Sequence, residues 1–301
     1  MRAYIPKYRL VSPSTLDEAL ATLEREPGVW KPFAGGTDLM VLLDAGKLPH
    51  TDYLNIWKLS ELKGIEVQTD HVKIGALTTY TELQGHPVLR EEFPMLCQAA
   101  RETGGPAIQN RGTLGGNIIN ASPAADSPPA LLAYDASLEL AAASSHRTVS
   151  YAAFHTGYKQ LDLRPDELLT AIRLPRKTNG MVHYYRKVGT RRAQAIAKIC
   201  FAAVAQCVAG IIQEVRIGVG SVAPTPIRCV GTEALLRGST LTPALIESAT
   251  ITLGNEIVPI DDMRSTGSYR SHVAKNLLAD FLDNLAAGRS QQVNSAGPER
   301  S

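Results

Sequence analysis

Two short glycine-rich segments carry the residues best suited to hold an anionic ligand. In the first, Phe33-Ala34-Gly35-Gly36-Thr37-Asp38-Leu39 lies between a strand-like run and an apolar, helix-like one. Glycines there let backbone N–H groups approach a ligand closely, and a helix start adds partial positive charge. The combination suits a pyrophosphate, and Thr37 adds a hydroxyl donor. The segment lacks Gly-x-Gly-x-x-Gly spacing, and no Gly-Lys-Ser/Thr follows it. On its own it describes an ordinary strand-to-helix turn equally well. The second segment, Thr113-Leu114-Gly115-Gly116-Asn117, again offers glycines, a hydroxyl and an amide, and Asp126 follows it. Two such loops can clasp one diphosphate from both sides. Asp126 would repel phosphate, so its carboxylate suits ribityl or ribose hydroxyls. It also stands where it would cap a helix beginning at Ser127-Pro128.

Rigid elements must position both segments. Ser14 reads as the N-cap of a helix carrying Leu16, Ala19, Leu20 and Leu23 at helical spacing. Residues 30–34 read as a strand stopping at Gly35-Gly36, and Thr37-Asp38 opens a second helix through Leu43 to Gly46. Residues 53–56 are strand-like, and residues 65–76 form a hairpin turned at Thr69-Asp70. Helical patterns follow from Thr79 to Leu83 and from Leu96 to Arg101. Residues 138–140, 148–149 and 168–174 read as strands. The turn-rich run Pro175-Arg176-Lys177-Thr178-Asn179-Gly180 marks a domain boundary. A first domain of residues 1–178 and a second of residues 179–288 result. The second contains strands at residues 182–188, 197–209 and 215–219, then helical stretches at residues 232–236 and from His272 onward. Residues 289–301 read as a disordered tail.

The 301-residue chain is 44% hydrophobic and 20% charged, with a net charge of +2. That length suits two domains of about 100–200 residues each. A charge so small, with bases and acids interleaved, argues against nucleic acid as a partner. No apolar run approaches the ~20 residues that span a bilayer. Met1-Arg2-Ala3-Tyr4-Ile5-Pro6 lacks the apolar core of a signal peptide, so a cytoplasmic location and no membrane contact are expected. Cys97, Cys200, Cys207 and Cys229 are widely spaced, without Cys-x-x-Cys or a histidine at metal spacing. They read as free thiols, and no metal is expected in this chain. His86, His146 and His183 read as loop or surface residues.

Ala34-Gly35-Gly36-Thr37-Asp38-Leu39 resembles the first FAD loop of the molybdenum hydroxylase flavoprotein family, the medium subunits of xanthine dehydrogenase and carbon monoxide dehydrogenase. Thr113-Leu114-Gly115-Gly116-Asn117-Ile118, continuing into Asn120-Ala121-Ser122-Pro123 and Asp126, resembles its second. The resemblance runs from about Tyr8 to about Asp283. It implies an α+β fold: a two-subdomain FAD-binding domain of the vanillyl-alcohol-oxidase-like type, then a small C-terminal domain of antiparallel sheet plus helices. It also implies site residues. Phe33, Ala34, Gly35, Gly36, Thr37 and Asp38 match the first pyrophosphate loop. Thr113, Gly115, Gly116 and Asn117 match the second, and Asp126 matches an aspartate that binds FAD. Leu169 matches an apolar position near the adenine or flavin. Tyr184-Tyr185-Arg186-Lys187-Val188, followed by Arg192 and Ile196-Ala197, is similar to the segment bearing an FAD-contacting lysine. That role falls to Lys187, with Lys198 as second candidate. A cation at the flavin N1–C2=O edge would favour the negative charge of the reduced cofactor. Without the resemblance, Lys187 reads as an exposed strand residue.

The implied function is an electron relay. A large molybdenum-cofactor-binding subunit oxidises substrate, and a small ferredoxin-like subunit with [2Fe–2S] clusters carries electrons to FAD. NAD or another acceptor then takes them. No catalytic acid or base is expected. The cysteine-bearing insertion of members that reduce a hydroxybenzoyl thioester is missing. Phe154-His155-Thr156-Gly157-Tyr158-Lys159 with Asp166-Glu167-Leu168-Leu169 is closer to the xanthine dehydrogenase branch. One alternative is a stand-alone FAD-dependent oxidase or reductase, disfavoured by the lack of an acid–base cluster and of a covalent-flavin motif. The other is a non-catalytic binding or assembly module, disfavoured by the intact glycine loops.

Overall fold

A short parallel sheet begins the fold in the computed structural model, which describes residues 7–178, 180–191 and 194–288. Arg192 and the tail expected at residues 289–301 lie outside the described residues. The strands Arg9–Val11, Asp52–Asn55 and Lys31–Phe33 lie in that spatial order, both outer strands parallel to the central one. The helix Leu16–Arg25 crosses between the first two in sequence, burying Ala19, Leu20 and Leu23. Its cap is Thr15, where Ser14 was expected. Thr15 Oγ1 accepts from the Glu18 N–H at 3.2 Å, and the Glu18 carboxylate accepts from the Ser14 N–H at 2.7 Å. Two adjacent hydroxyls compete for the role, and the extended backbone at Thr15 decides it, a bond worth about 1 kcal/mol. The second crossover helix, Leu39–Asp44, buries none of its residues. Parallel units gather the loops that follow their strands on one edge. The glycine segment after Phe33 and Trp57 after Asn55 therefore share that edge.

A five-stranded antiparallel sheet follows, in the order Ile65–Val67, His71–Gly75, Leu168–Pro175, Ser137–Ala142, Ser145–Ser150. The helices Tyr80–Gly85, Pro87–Glu92, Pro94–Glu102, Leu114–Ile119 and Ser127–Ala133 surround it. Val72, Ile74, Leu138, Leu140, Ile172 and Leu174 from the sheet meet Leu83, Leu89, Leu96, Leu114 and Ile118 from the helices in one core. A full capping box fixes the first of these helices: Thr79 accepts from the Glu82 N–H, and Glu82 accepts from the Thr79 N–H at 2.7 Å. All seven residues of Ser127–Ala133 are buried. A helix apolar all round needs partners on every side, and it has them because the C-terminal sheet covers its far face.

That last sheet is antiparallel, in the order Val182–Val188, Ile199–Val208, Ile211–Gly220, Ile227–Arg228. Its central strand is buried on both faces, which explains the near-continuous apolar run in the sequence. Ile199, Phe201, Ala203 and Ala205 face a core with Leu253, Leu278 and Phe281, supplied by the helices Pro243–Glu256 and Gly267–Ala286. Cys200, Ala202 and Val204 face the N-terminal core. The helix Pro243–Glu256 has no counterpart in the sequence reading, since Ala249 and Leu253 are its only buried residues and leave little periodic signal. His183, expected at the surface, is half-buried against the Tyr134 hydroxyl at 3.0 Å. Burial pushes its imidazole down to about 4. The whole is α+β, and among the described residues no helix is long and apolar enough to cross a membrane.

Candidate functional site

The first glycine segment leaves the carboxyl end of Lys31–Phe33 and enters Leu39–Asp44. Gly36 adopts φ +79°, a left-handed turn that suits glycine. Among the described residues, the N–H groups of Gly35, Gly36, Thr37 and Asp38 have no protein partner. Four bare donors in one turn suit an anion. The second segment is built differently. It is the first turn of the helix Leu114–Ile119, with Thr113 as N-cap. The Leu114 and Gly115 N–H groups donate to Thr78 and Ala76 carbonyls at 3.0 and 2.9 Å, and the Gly116 N–H donates to Thr113 Oγ1 at 3.0 Å. This segment thus brings a helix N-terminus and a hydroxyl, while the first brings the free N–H groups.

The fold presses the two together across 76 residues of sequence. A Cβ on Gly35 would stand 1.7 Å from the Arg111 carbonyl oxygen, so only glycine permits the approach. Arg111 Nε donates to the Gly35 oxygen at 3.4 Å, and Asn120 Nδ2 donates to Asp38 Oδ1 at 3.4 Å. Gly116 stays open outward, with only Thr113 Oγ1 near the place of a Cβ. Leu169 is buried in the core with Leu114 and Ile118, behind this helix. Phe33 stands edge-on to Tyr53 at 6.3 Å, flooring the first turn.

Asp126 completes the arrangement from the N-terminal end of Ser127–Ala133. It occupies the cap position, yet its side chain makes no capping bond, so the capping alternative fails. Strand alternation explains where the carboxylate goes. His183, Tyr185 and Lys187 share the sheet face turned toward the N-terminal part, while Tyr184 faces the helix Gly267–Ala286 and donates to Asp280 at 2.5 Å. Lys187 Nζ donates to Asp126 Oδ2 at 2.7 Å and to the Glu102 carbonyl at 2.8 Å. Its side chain is 7% exposed, which overturns the exposed-strand reading. Tyr185 donates to the Asp126 carbonyl at 3.1 Å. Burial pushes the Asp126 carboxyl up to about 6, with Lys187 opposing the shift. Its Oδ1, together with Asn117 Oδ1 and Ser127 Oγ, is enclosed without a hydrogen-bond partner among the described residues.

The model of the FAD binding domain in molybdopterin dehydrogenase matches residues 6–177, and that of the CO dehydrogenase flavoprotein C-terminal domain matches residues 183–285. The chain belongs to the FAD-binding subunits of the molybdenum hydroxylases. The xanthine dehydrogenase FAD-binding subunit of Escherichia coli is 32% identical over 278 residues, covering 91% of this chain and 94% of that one. The glyceraldehyde dehydrogenase medium chain of Sulfolobus acidocaldarius is 32% identical over 283 residues, covering 94% and 100%. A structure of carbon monoxide dehydrogenase from Hydrogenophaga pseudoflava superposes with a TM-score of 0.89 at 28% identity, covering 95% of this chain and 99% of the matched one. FAD-binding subunits of this kind are parts of oxidoreductases. The residues present suit FAD: bare N–H groups for its diphosphate, and enclosed acceptors lacking donors for its hydroxyls.

Several residues beside the two segments escaped the sequence reading. Arg111 lays its guanidinium over the Trp57 ring at 4.0 Å, with Lys63 Nζ 5.1 Å from the same ring. Lys159, in a left-handed turn, donates to Asn120 Oδ1 at 2.8 Å beside Asp38. The Asn110-Arg111 pair just before the second segment was the available signal for the first. Nothing local marks Lys159. Lys198, the second candidate for the cofactor lysine, lies over the Tyr269 ring at 5.3 Å.

Proposed function

We propose that this chain is the electron-transferring flavoprotein of a three-component molybdenum hydroxylase of the xanthine dehydrogenase-like branch. Its partners are a large molybdenum-cofactor subunit and a small ferredoxin-like subunit whose [2Fe–2S] clusters deliver electrons. Bound FAD supplies the chemistry of taking those electrons and passing them to NAD or another acceptor. Residues 1–178 form the domain that holds FAD, and residues 179–288 the C-terminal domain. Phe33, Ala34, Gly35, Gly36, Thr37 and Asp38 cradle the diphosphate against Thr113, Gly115, Gly116 and Asn117. Asp126 accepts hydroxyls, Leu169 backs the site and Lys187 stands at its inner edge. A cytoplasmic location is in keeping with four free cysteines, of which Cys97, Cys200 and Cys229 are buried.

The observation that carries this reading is the contact of Gly35 with the Arg111 carbonyl, which sets four free N–H groups beside a second helix N-terminus. The test is an absorbance spectrum of the purified chain with and without added FAD, followed by acid release of the chromophore. Flavin bands at about one FAD per chain, without iron–sulfur absorbance, are expected. A colourless chain that takes up no FAD removes the function and leaves the fold. Turnover by the chain alone, without partner subunits, would replace the relay with a stand-alone oxidase or reductase.

A further inference from the structure

The buried charges between the N-terminal part and the C-terminal sheet form one cluster. Asp126 lies at its centre, buried from solvent. Lys187 reaches it from the strand Val182–Val188, and Tyr185 and Cys200 face it from the same sheet. Glu102 and Thr103 face it from the end of Pro94–Glu102, with Thr103 Oγ1 at 3.4 Å, and Tyr80 faces it from Tyr80–Gly85. Within this set Asp126 has one oxygen paired and one not. Oδ2 accepts from Lys187, while Oδ1 is enclosed without a donor. An enclosed carboxylate oxygen without a donor is costly, and a hydroxyl supplied from outside the chain would remove that cost.

Resting on the proposed FAD site, we propose that Lys187 is a positioning residue that acts on the cofactor through Asp126. It reaches across from the C-terminal sheet and holds the Asp126 carboxylate charged and turned, so that Oδ1 accepts a hydroxyl of the FAD polyol or ribose. An ammonium has three N–H donors, and two are placed, on Asp126 and on Glu102. The C-terminal domain thereby takes part in FAD binding without lending a residue to the diphosphate cradle. Burial and the nearby Glu102 both disfavour the charged carboxylate, and Lys187 is the cation opposing them. FAD affinity therefore depends on a carboxylate that burial pushes up to about 6, and it is lost as pH falls through that value. Removing Lys187 moves the loss to higher pH.

The experiment measures the FAD dissociation constant by flavin fluorescence from pH 5 to 8 for the whole chain and for Lys187→Met, Lys187→Arg and Asp126→Asn. The native chain is expected to lose affinity around pH 6. Lys187→Met is expected to lose it about one pH unit higher or more, Lys187→Arg close to the native value, and Asp126→Asn to bind weakly without a titration step. A Lys187→Met chain weakened by the same factor at every pH would reduce Lys187 to a structural part and overturn the proposal, leaving the FAD site intact. An Asp126→Asn chain with native affinity would mean that water alone completes Oδ1, and would overturn it too. If Lys187→Met does not fold, Asp126→Asn decides: a surviving pH step refutes the proposal. Failure of the native chain to bind FAD at any pH sinks the site and the proposal together.

Discussion

Replacing Gly35 with alanine tests whether the contact between the two segments builds the cofactor cradle. The added Cβ would stand 1.7 Å from the Arg111 oxygen and 2.6 Å from its carbonyl carbon. A carbon–oxygen contact rests at about 3.3 Å, so the segments must part by about 1.6 Å. The obstacle is backbone, and no rotamer can relieve it. Four unpaired N–H groups line the displaced turn. If two of them lose a charged phosphate oxygen, at about 1.5–3 kcal/mol each, the loss is about 3–6 kcal/mol. FAD affinity then falls by about 10²–10⁴-fold. Crowding costs the fold only about 1–3 kcal/mol, or about 2–12 °C in Tm. Gly46→Ala is the control. Gly46 has a positive φ, +64°, which Gly35 does not share, and nothing lies within 4 Å of the added carbon, so it reports the cost of backbone strain without crowding. It is expected to lose similar stability and to keep FAD. The assay is fluorescence titration with FAD alongside thermal melting of both variants. A folded Gly35→Ala chain binding FAD within about threefold of native would refute the argument that this contact makes the cradle.

Gly116→Val places a branched side chain where only Thr113 Oγ1 now stands nearby, fills the outward side of the second segment and weakens its N-cap bond by about 1 kcal/mol. It is expected to abolish FAD retention on gel filtration; full flavin occupancy would remove this segment from the site. Glu167 lies under Arg147 and Arg164, accepting from Arg147 Nε at 2.7 Å and Arg164 Nε at 2.8 Å. Burial pushes its carboxyl up, but the two guanidinium groups outweigh burial and hold it at about 2. A carboxylate depressed in the folded state stabilises above its unfolded value, and that gain is lost as pH falls from about 4.5 toward 2. Partial exposure of both arginines trims the effect to about 2 kcal/mol. Glu167→Gln should therefore lower Tm by about 4–8 °C at pH 7 and flatten acid unfolding between pH 4.5 and 2. Equal melting of both chains at pH 7 would show the pair to be without net value.

Much of the fold was legible because local rules agree with the tertiary outcome. Residues 182–188 and the twice-buried run of the following strand read directly as sheet. Leu114–Ile119 was not legible as a helix. Gly115 and Gly116 depress helix propensity, and the Thr113 cap with anchoring at Thr78 and Ala76 overrides it. Thr15 displaced Ser14 as a cap through backbone angles that residue type does not encode. His183 and Lys187 looked like surface residues because polarity usually marks exposure. Both lie on the face that another part of the chain covers.

By itself, the sequence determined which segments could bind an anion, since glycine and hydroxyl chemistry is carried by adjacent residues. It also marked most of the longer strands and the helix Leu16–Arg25, whose periodicity is local, but not the strand Arg9–Val11 or the helix Pro243–Glu256. Tertiary structure alone decided which site residues meet. Gly35 and Arg111 are 76 residues apart, and Asp126 and Lys187 are 61 apart. No neighbouring residue encodes either contact. Both arise from the burial of apolar faces, which brings the parallel sheet's edge to the helix Leu114–Ile119 and lays the C-terminal sheet over Ser127–Ala133. Burial is non-directional and sums over the whole chain, so its result is read only after the faces have found one another.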